Sequence, residues 1–262
     1  MYGRLVEKNE KENISTYSVY LITNRHVFEN PRTHQMLESV ELRFNLSDSK
    51  AKNYTVDLLD SKNNPKWFRH KNDKVDLAVI PLSVPAIKDE KIQFYYFRED
   101  VDVFFAKDFS EIGVSTGDGI FILGFPLGIR GKAQNYAVVK GGIIARFDTE
   151  LLNDHYFYID STAYPGNSGG PVIYKPELVS IQGTKAVGKS SLMGVVSKGV
   201  SFTERAISEQ TGQPRIIFEE QSGLVMVVPM DSVNEVIDQY VKAKGTPKQK
   251  SEIVDKQVED KE

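Results

Sequence analysis

The 262-residue sequence predicts an all-β protein of sandwich or barrel type, built in two lobes and followed by one helix. Three observations predict it. Short runs rich in Val, Ile, Tyr and Phe recur along most of the chain, punctuated by Gly, Pro, Asn, Asp or Ser. The stretch REDVDVFFAKDFSEIGVSTGDG (98–119) loses that pattern, which places a lobe boundary near 107–117. Only MDSVNEVIDQYVKAKG (230–245) carries a helical period.

In chain order, the first lobe (1–112) holds the strand candidates SVYLIT (18–23), VELRFNL (40–46), YTVDLL (54–59), DLAVIPL (76–82) and IQFYYF (92–97). The second lobe (113–230) holds GIFILGF (119–125), YAVVKGGIIARF (136–147), HYFYID (155–160), GPVIY (170–174), SLMGVVSKGV (191–200) and LVMVVPM (224–230). A helix is expected over 231–244. Asp231 or Ser232 caps it, Val233, Val236, Ile237 and Val241 form its apolar stripe, and Lys242 and Lys244 precede Gly245. The tail 245–262 is polar and charged and reads as disordered.

Composition excludes several classes of function. Apolar residues make up 40% and charged residues 26%, the balance of an ordinary globular chain. A net charge of −3 gives no electrostatic reason to expect nucleic acid or an anionic membrane as partner. The chain has no cysteine, which removes disulfides, thiolate metal sites and cysteine nucleophiles. The start MYGRLVEKNEKE has no signal-peptide pattern, and GIFILGFPLGI (119–129) is too short and broken to span a bilayer. A cytoplasmic location is the expectation.

Chemistry enters with YPGNSGGPVI (164–173), where Ser168 stands among Gly166, Asn167, Gly169 and Gly170. By itself this is an ordinary turn composition. A serine hydroxyl becomes a nucleophile only with a base in hydrogen-bond reach and a third group that fixes the base's tautomer. Of the four histidines, His34 and His70 read as solvated loop residues and His155 as the opening of a strand. His26 differs, because the apolar run VYLIT would deliver it rigidly to a lobe edge. Asp76 opens the apolar run DLAVIPL, where a partly buried carboxylate needs a donor such as an imidazole N–H. The order is His26, Asp76, Ser168, with the first two in one lobe and the serine in the other, so the reaction site is expected where the lobes meet.

With these residues in place the sequence resembles the trypsin-like serine peptidases of the chymotrypsin fold, nearest the cysteine-free HtrA-type branch and without a PDZ-like segment. YLITNRHV resembles the family's histidine motif, VDLAVIPL its aspartate motif and IDSTAYPGNSGGPVI its nucleophile motif. IFILGFPLG, VVKGGIIA, LMGVVS and GLVMVVPMDSV resemble successive second-lobe strands and the entry to the final helix. The resemblance, over residues 3–240, implies two six-stranded antiparallel β-barrels. It implies a serine endopeptidase acting on a protein or peptide through an acyl-enzyme, with His26, Asp76 and Ser168 as triad. The backbone N–H groups of Gly166 and Ser168 would form the oxyanion hole. Thr162 would be the base of the specificity pocket, with Val195, Val196 and Ser197 as its wall, which suggests a small or medium apolar preference. No cofactor and no metal is expected. A catalytically silent binding module and an esterase-like hydrolase on the same triad are the competing functions.

Two further features matter. Asn167 stands where zymogen-activated relatives carry an aspartate that pairs with a new N-terminal ammonium, so no activation by N-terminal cleavage is expected. GTKAVGKS (183–190) fits a phosphate-loop pattern, but SLMGVVSKGV follows it with no helical period, so no nucleotide site is expected.

Overall fold

A computed structural model describes residues 1–82, 92–177, 186–247 and 251–254. The chain divides into two compact units. The first comprises Met1–Phe104, Arg130–Tyr136 and the segment from Met230 onward; the second comprises Phe105–Ile129 and Ala137–Pro229.

In the first unit, β1 (Tyr2–Asn9) and β2 (Ile14–Thr23) form an antiparallel pair, followed by the single turn α1 (Arg25–Phe28). Then come β3 (Ser39–Leu46), β4 (Ala51–Asp57), β5 (Phe68–Arg69), β6 (Ala78–Pro81), β7 (Ile92–Gln93) and β8 (Phe97–Arg98). One sheet runs β5-β6-β2-β1-β8 and a second runs β4-β3-β7. Leu77, Ala78, Val79 and Ile80 are all buried, as expected of a short apolar run with both faces covered. Phe28, Leu58, Trp67, Ala78 and Ile80 form one core cluster beneath α1.

The second unit opens with the short helix α2 (Phe109–Ile112) in the stretch that loses strand alternation. It continues with β9 (Gly119–Gly124), β10 (Val138–Arg146), α3 (Thr149–Asn153), β11 (Phe157–Asp160), β12 (Pro171–Tyr174), β13 (Ser191–Ile207) and β14 (Pro214–Pro229). These strands close into a six-stranded barrel in the order β10-β11-β14-β13-β12-β9. Ile120, Ile122, Ile144, Phe157, Ile159, Val172, Tyr174 and Val227 fill it and are almost fully buried. This is the closed antiparallel barrel expected of the second lobe, which satisfies every strand edge along the closed part. Residues 183–185 of the phosphate-loop pattern lie outside the described residues. Ser191 after it begins β13, not a helix.

Helix α4 (Met230–Lys244) continues directly from β14 and returns to the first unit. Its stripe Met230, Val233, Val236 and Ile237 is buried. Tyr240 meets Phe68 and Tyr20 edge-on, with ring centroids 5.0 and 6.0 Å apart. His70 departs from its expected place in solvent. It is buried, and its Nε2 lies 2.7 Å from Glu235 Oε2 on α4. Within the tail expected to be disordered, Ser251–Val254 form β15, antiparallel to Ile14–Tyr17 of β2.

Candidate active site

The first unit holds the histidine and the aspartate, and strand register brings them together. β2 and β6 pair antiparallel, and their last partners are Thr23 and Ala78. Continuing that register, the residues just after β2 face those just before β6. Fifty residues of sequence therefore collapse to hydrogen-bond distance. His26 Nδ1 lies 2.6 Å from Asp76 Oδ2, and the His26 backbone N–H donates to Asp76 Oδ1 at 3.1 Å. Asn24, fully buried, donates from Nδ2 to the Asp76 carbonyl at 2.8 Å and so fixes the carboxylate's backbone.

This geometry sets the charges. The Asp76 hydrogen bond holds the His26 imidazole above its ordinary pKa, with partial burial working the other way and the carboxylate charge adding to the rise. For Asp76 burial is the largest single influence and pushes its pKa up. The hydrogen bonds from the His26 ring and backbone, its charge and that of Arg25 together outweigh burial and keep Asp76 ionised below the usual carboxylate range. With Nδ1–H committed to Asp76, the free acceptor of a neutral His26 is Nε2.

The second unit holds the serine turn. It is tied down on both flanks. The Asn167 N–H donates to the Tyr164 carbonyl at 2.9 Å, and Asn167 Oδ1 accepts from the Tyr164 N–H at 3.0 Å. The Gly170 N–H donates to the Asn167 carbonyl at 3.0 Å. The Gly169 N–H donates to the Val196 carbonyl, and the Val196 N–H donates to the Gly170 carbonyl, both at 2.9 Å. On the other side the Phe125 N–H reaches the Gly166 carbonyl at 3.2 Å and the Leu127 N–H the Pro165 carbonyl at 2.7 Å. Two amides in this framework stay uncommitted. Among the described residues, neither the Gly166 N–H nor the Ser168 N–H has a hydrogen-bond partner. Two unspent donors one residue apart are what a developing oxyanion requires.

Gly166 makes the turn possible. Its φ is +98°, and a Cβ there would lie 2.3 Å from the Phe125 carbonyl oxygen. No side chain fits that approach or favours that backbone region. Asn167 is fully buried, and its Oδ1 braces the turn by accepting from the Tyr164 N–H.

Of the other expected site residues, Thr162 is half-buried, whereas the side chains of Val195, Val196 and Ser197 are all buried in β13. Val196 touches the serine turn through its backbone. Residues that sequence reasoning missed are Asn24, Arg25 and Lys140. Lys140 Nζ sits 5.0 Å from the centre of the Tyr164 ring, and burial lowers its pKa. The inward alternation of β10 was the available signal, since Lys140 shares its face with buried Ile144.

A family model described as trypsin-like peptidase domain matches residues 5–177, a span that includes His26, Asp76 and Ser168. No curated protein matches the chain significantly.

Proposed function

The chain belongs to the trypsin-like peptidase family, and from that premise we propose that it is a serine endopeptidase working through His26, Asp76 and Ser168. The observation that carries the reading is the 2.6 Å bond from His26 Nδ1 to Asp76, which commits one ring nitrogen and leaves the other as base. In the proposed reaction Nε2 of His26 takes the Ser168 hydroxyl proton as Oγ bonds to the scissile carbonyl carbon. The carbonyl oxygen gains charge and is held by the Gly166 and Ser168 N–H groups. Collapse breaks the C–N bond, and His26 returns its proton to the leaving amine. Water, deprotonated by His26, then releases the acyl group.

The seven motifs, in the family's order, support a position nearest the cysteine-free HtrA-type branch. Uncharged Thr162 at the expected pocket base argues against a preference for Lys or Arg at the cleavage site.

Intact-mass analysis after fluorophosphonate treatment tests the proposal. One adduct is expected on the wild type, formed as Ser168 Oγ bonds phosphorus and fluoride leaves. Ser168→Ala and His26→Ala should both lose it. An unlabelled wild type, or an adduct that survives in Ser168→Ala, would reject the assignment.

A further inference from the structure

Strands β13 and β14 outrun the barrel that they help to close. β12 accompanies β13 only as far as Val195, and β11 joins β14 only from Leu224. From Ser201 to Ile207 and from Pro214 to Gln221 the two strands pair only with each other among the described residues. The result is a two-stranded ribbon with both faces and both edges open. Phe202, Phe218 and Ile217 are exposed by 45%, 49% and 63%. A free two-stranded ribbon is marginal in water, and an open apolar edge is a template for another strand.

The two edges differ in what they can accept. In an antiparallel pair of identical strands related by a twofold axis, residues of like parity face each other. On β13, Glu204 and Arg205 are adjacent and so fall on opposite faces, where they never meet in such a pair. On β14 the edge reads Arg215-Ile216-Ile217-Phe218-Glu219. Centred on Ile217, self-pairing puts Arg215 opposite Glu219 twice, Ile216 opposite Phe218 twice, and Ile217 opposite itself. Both opposite-charge pairs and all apolar pairs are then satisfied together. Neither Arg215 nor Glu219 has an ion-pair partner among the described residues, although Glu219 accepts a hydrogen bond from Ser201 Oγ at 2.6 Å. On the even face, Ile216 and Phe218 of both copies would meet across the twofold, flanked by Ala206 opposite Ile216, Glu204 opposite Phe218 and Glu220 opposite Phe202.

We propose that the open edge of β14 is a dimer interface, pairing Arg215–Glu219 antiparallel with the same residues of a second copy of this chain. Two marginal ribbons become one four-stranded sheet, above the three strands that independent stability needs. The register fixes partner choice by charge, so it can be rewritten.

Sedimentation velocity across the micromolar range tests it, with mass as the readout and turnover irrelevant. The wild type should dimerise with rising concentration. Arg215→Glu faces Glu with Glu and Glu219→Arg faces Arg with Arg, so each variant alone should be monomeric. An equimolar mixture of the two should form a heterodimer, because every Glu then meets an Arg. The double variant carrying both changes should dimerise again. Ile217→Asp, at an exposed position on the twofold, should give a monomer with both charges untouched. A wild type that stays monomeric, single variants that associate like the wild type, or natively folded single variants whose mixture stays monomeric would each overturn the proposal.

Discussion

Replacing Gly166 with alanine tests the serine turn at its tightest point. The added Cβ would lie 2.3 Å from the Phe125 carbonyl oxygen and 3.0 Å from its carbon, in a residue with φ +98°. Ordinary contact requires the two segments to separate by about 1 Å. Backbone strain at such a φ costs about 1–3 kcal/mol. Separation also weakens the Phe125–Gly166 and Leu127–Pro165 hydrogen bonds, which contribute about 0.5–1.5 kcal/mol each. The stability loss is therefore at most about 2–6 kcal/mol, which most of the usual stability range of about 5–15 kcal/mol survives. The catalytic loss is separate. Moving one oxyanion donor costs about 2.7–4 kcal/mol in the transition state, or about 100–1,000-fold in kcat. KM should change little, because the ground-state carbonyl places less charge on these donors. The assay is kcat and KM on a cleaved peptide, alongside thermal unfolding. Gly212→Ala serves as control, since φ there is +67° but nothing lies within 4 Å of an added Cβ. It should lower stability by about 1 kcal/mol and leave activity unchanged. A Gly166→Ala protein within tenfold of wild-type kcat would refute the reasoning.

Other predictions concern charge. His26 is held above its ordinary value of 6.5, so kcat/KM should rise with pH through an apparent pKa above that value. Asp76→Asn withdraws the hydrogen bond and the charge that raise it and leaves the burial that lowers it. The acid limb should move to lower pH while kcat falls about ten-thousand-fold from loss of the correct tautomer. In stability the pair has two limits. The His26 contribution is complete below its unfolded pKa and fades as pH rises through the raised folded one. The Asp76 contribution is complete above its unfolded pKa and fades as pH falls through the lowered folded one. Denaturant midpoints of wild type and His26→Gln should differ most between those limits, and a constant difference across pH would contradict it. Asn167→Asp buries a carboxylate with one backbone donor and should destabilise by about 3 kcal/mol near neutrality. Protonation restores a neutral group, so most of that loss should vanish at about pH 4 in urea titrations.

The barrel strands and the tight glycine turn at 166 were legible from sequence because they are local. Val, Ile and Tyr periodicity marks β9 through β12, and Gly166 sits where its φ demands it. The first-unit carboxylate was legible for a subtler reason, since an aspartate opening a buried strand must find a donor. What escaped were partners chosen across long separations. His70 lies in a charged run, and only packing against α4 shows that Glu235, 165 residues later, is its partner. Asn24 stands just before α1 without capping it, and its amide holds the Asp76 carbonyl 52 residues away. The strand β15 escaped because it pairs through backbone groups, which leave no apolar pattern in SEIV. The length of β13 escaped because its outer half is stabilised by β14 across a turn, while its own residues Ser201–Arg205 are polar enough to read as loop.

The serine turn has one more consequence. Its amides alternate between committed and open: Gly166 open, Asn167 bonded, Ser168 open, then Gly169 and Gly170 bonded. Amide hydrogen exchange follows bonding at each residue. Positions 166 and 168 should exchange with solvent deuterium as fast as a free peptide, while 167 and 170 wait for the turn itself to open and 169 for it to part from β13. The signature over the five residues is fast, slow, fast, slow, slow. An oxygen bound in that turn would erase it, by slowing the two fast amides and leaving the slow ones as they were.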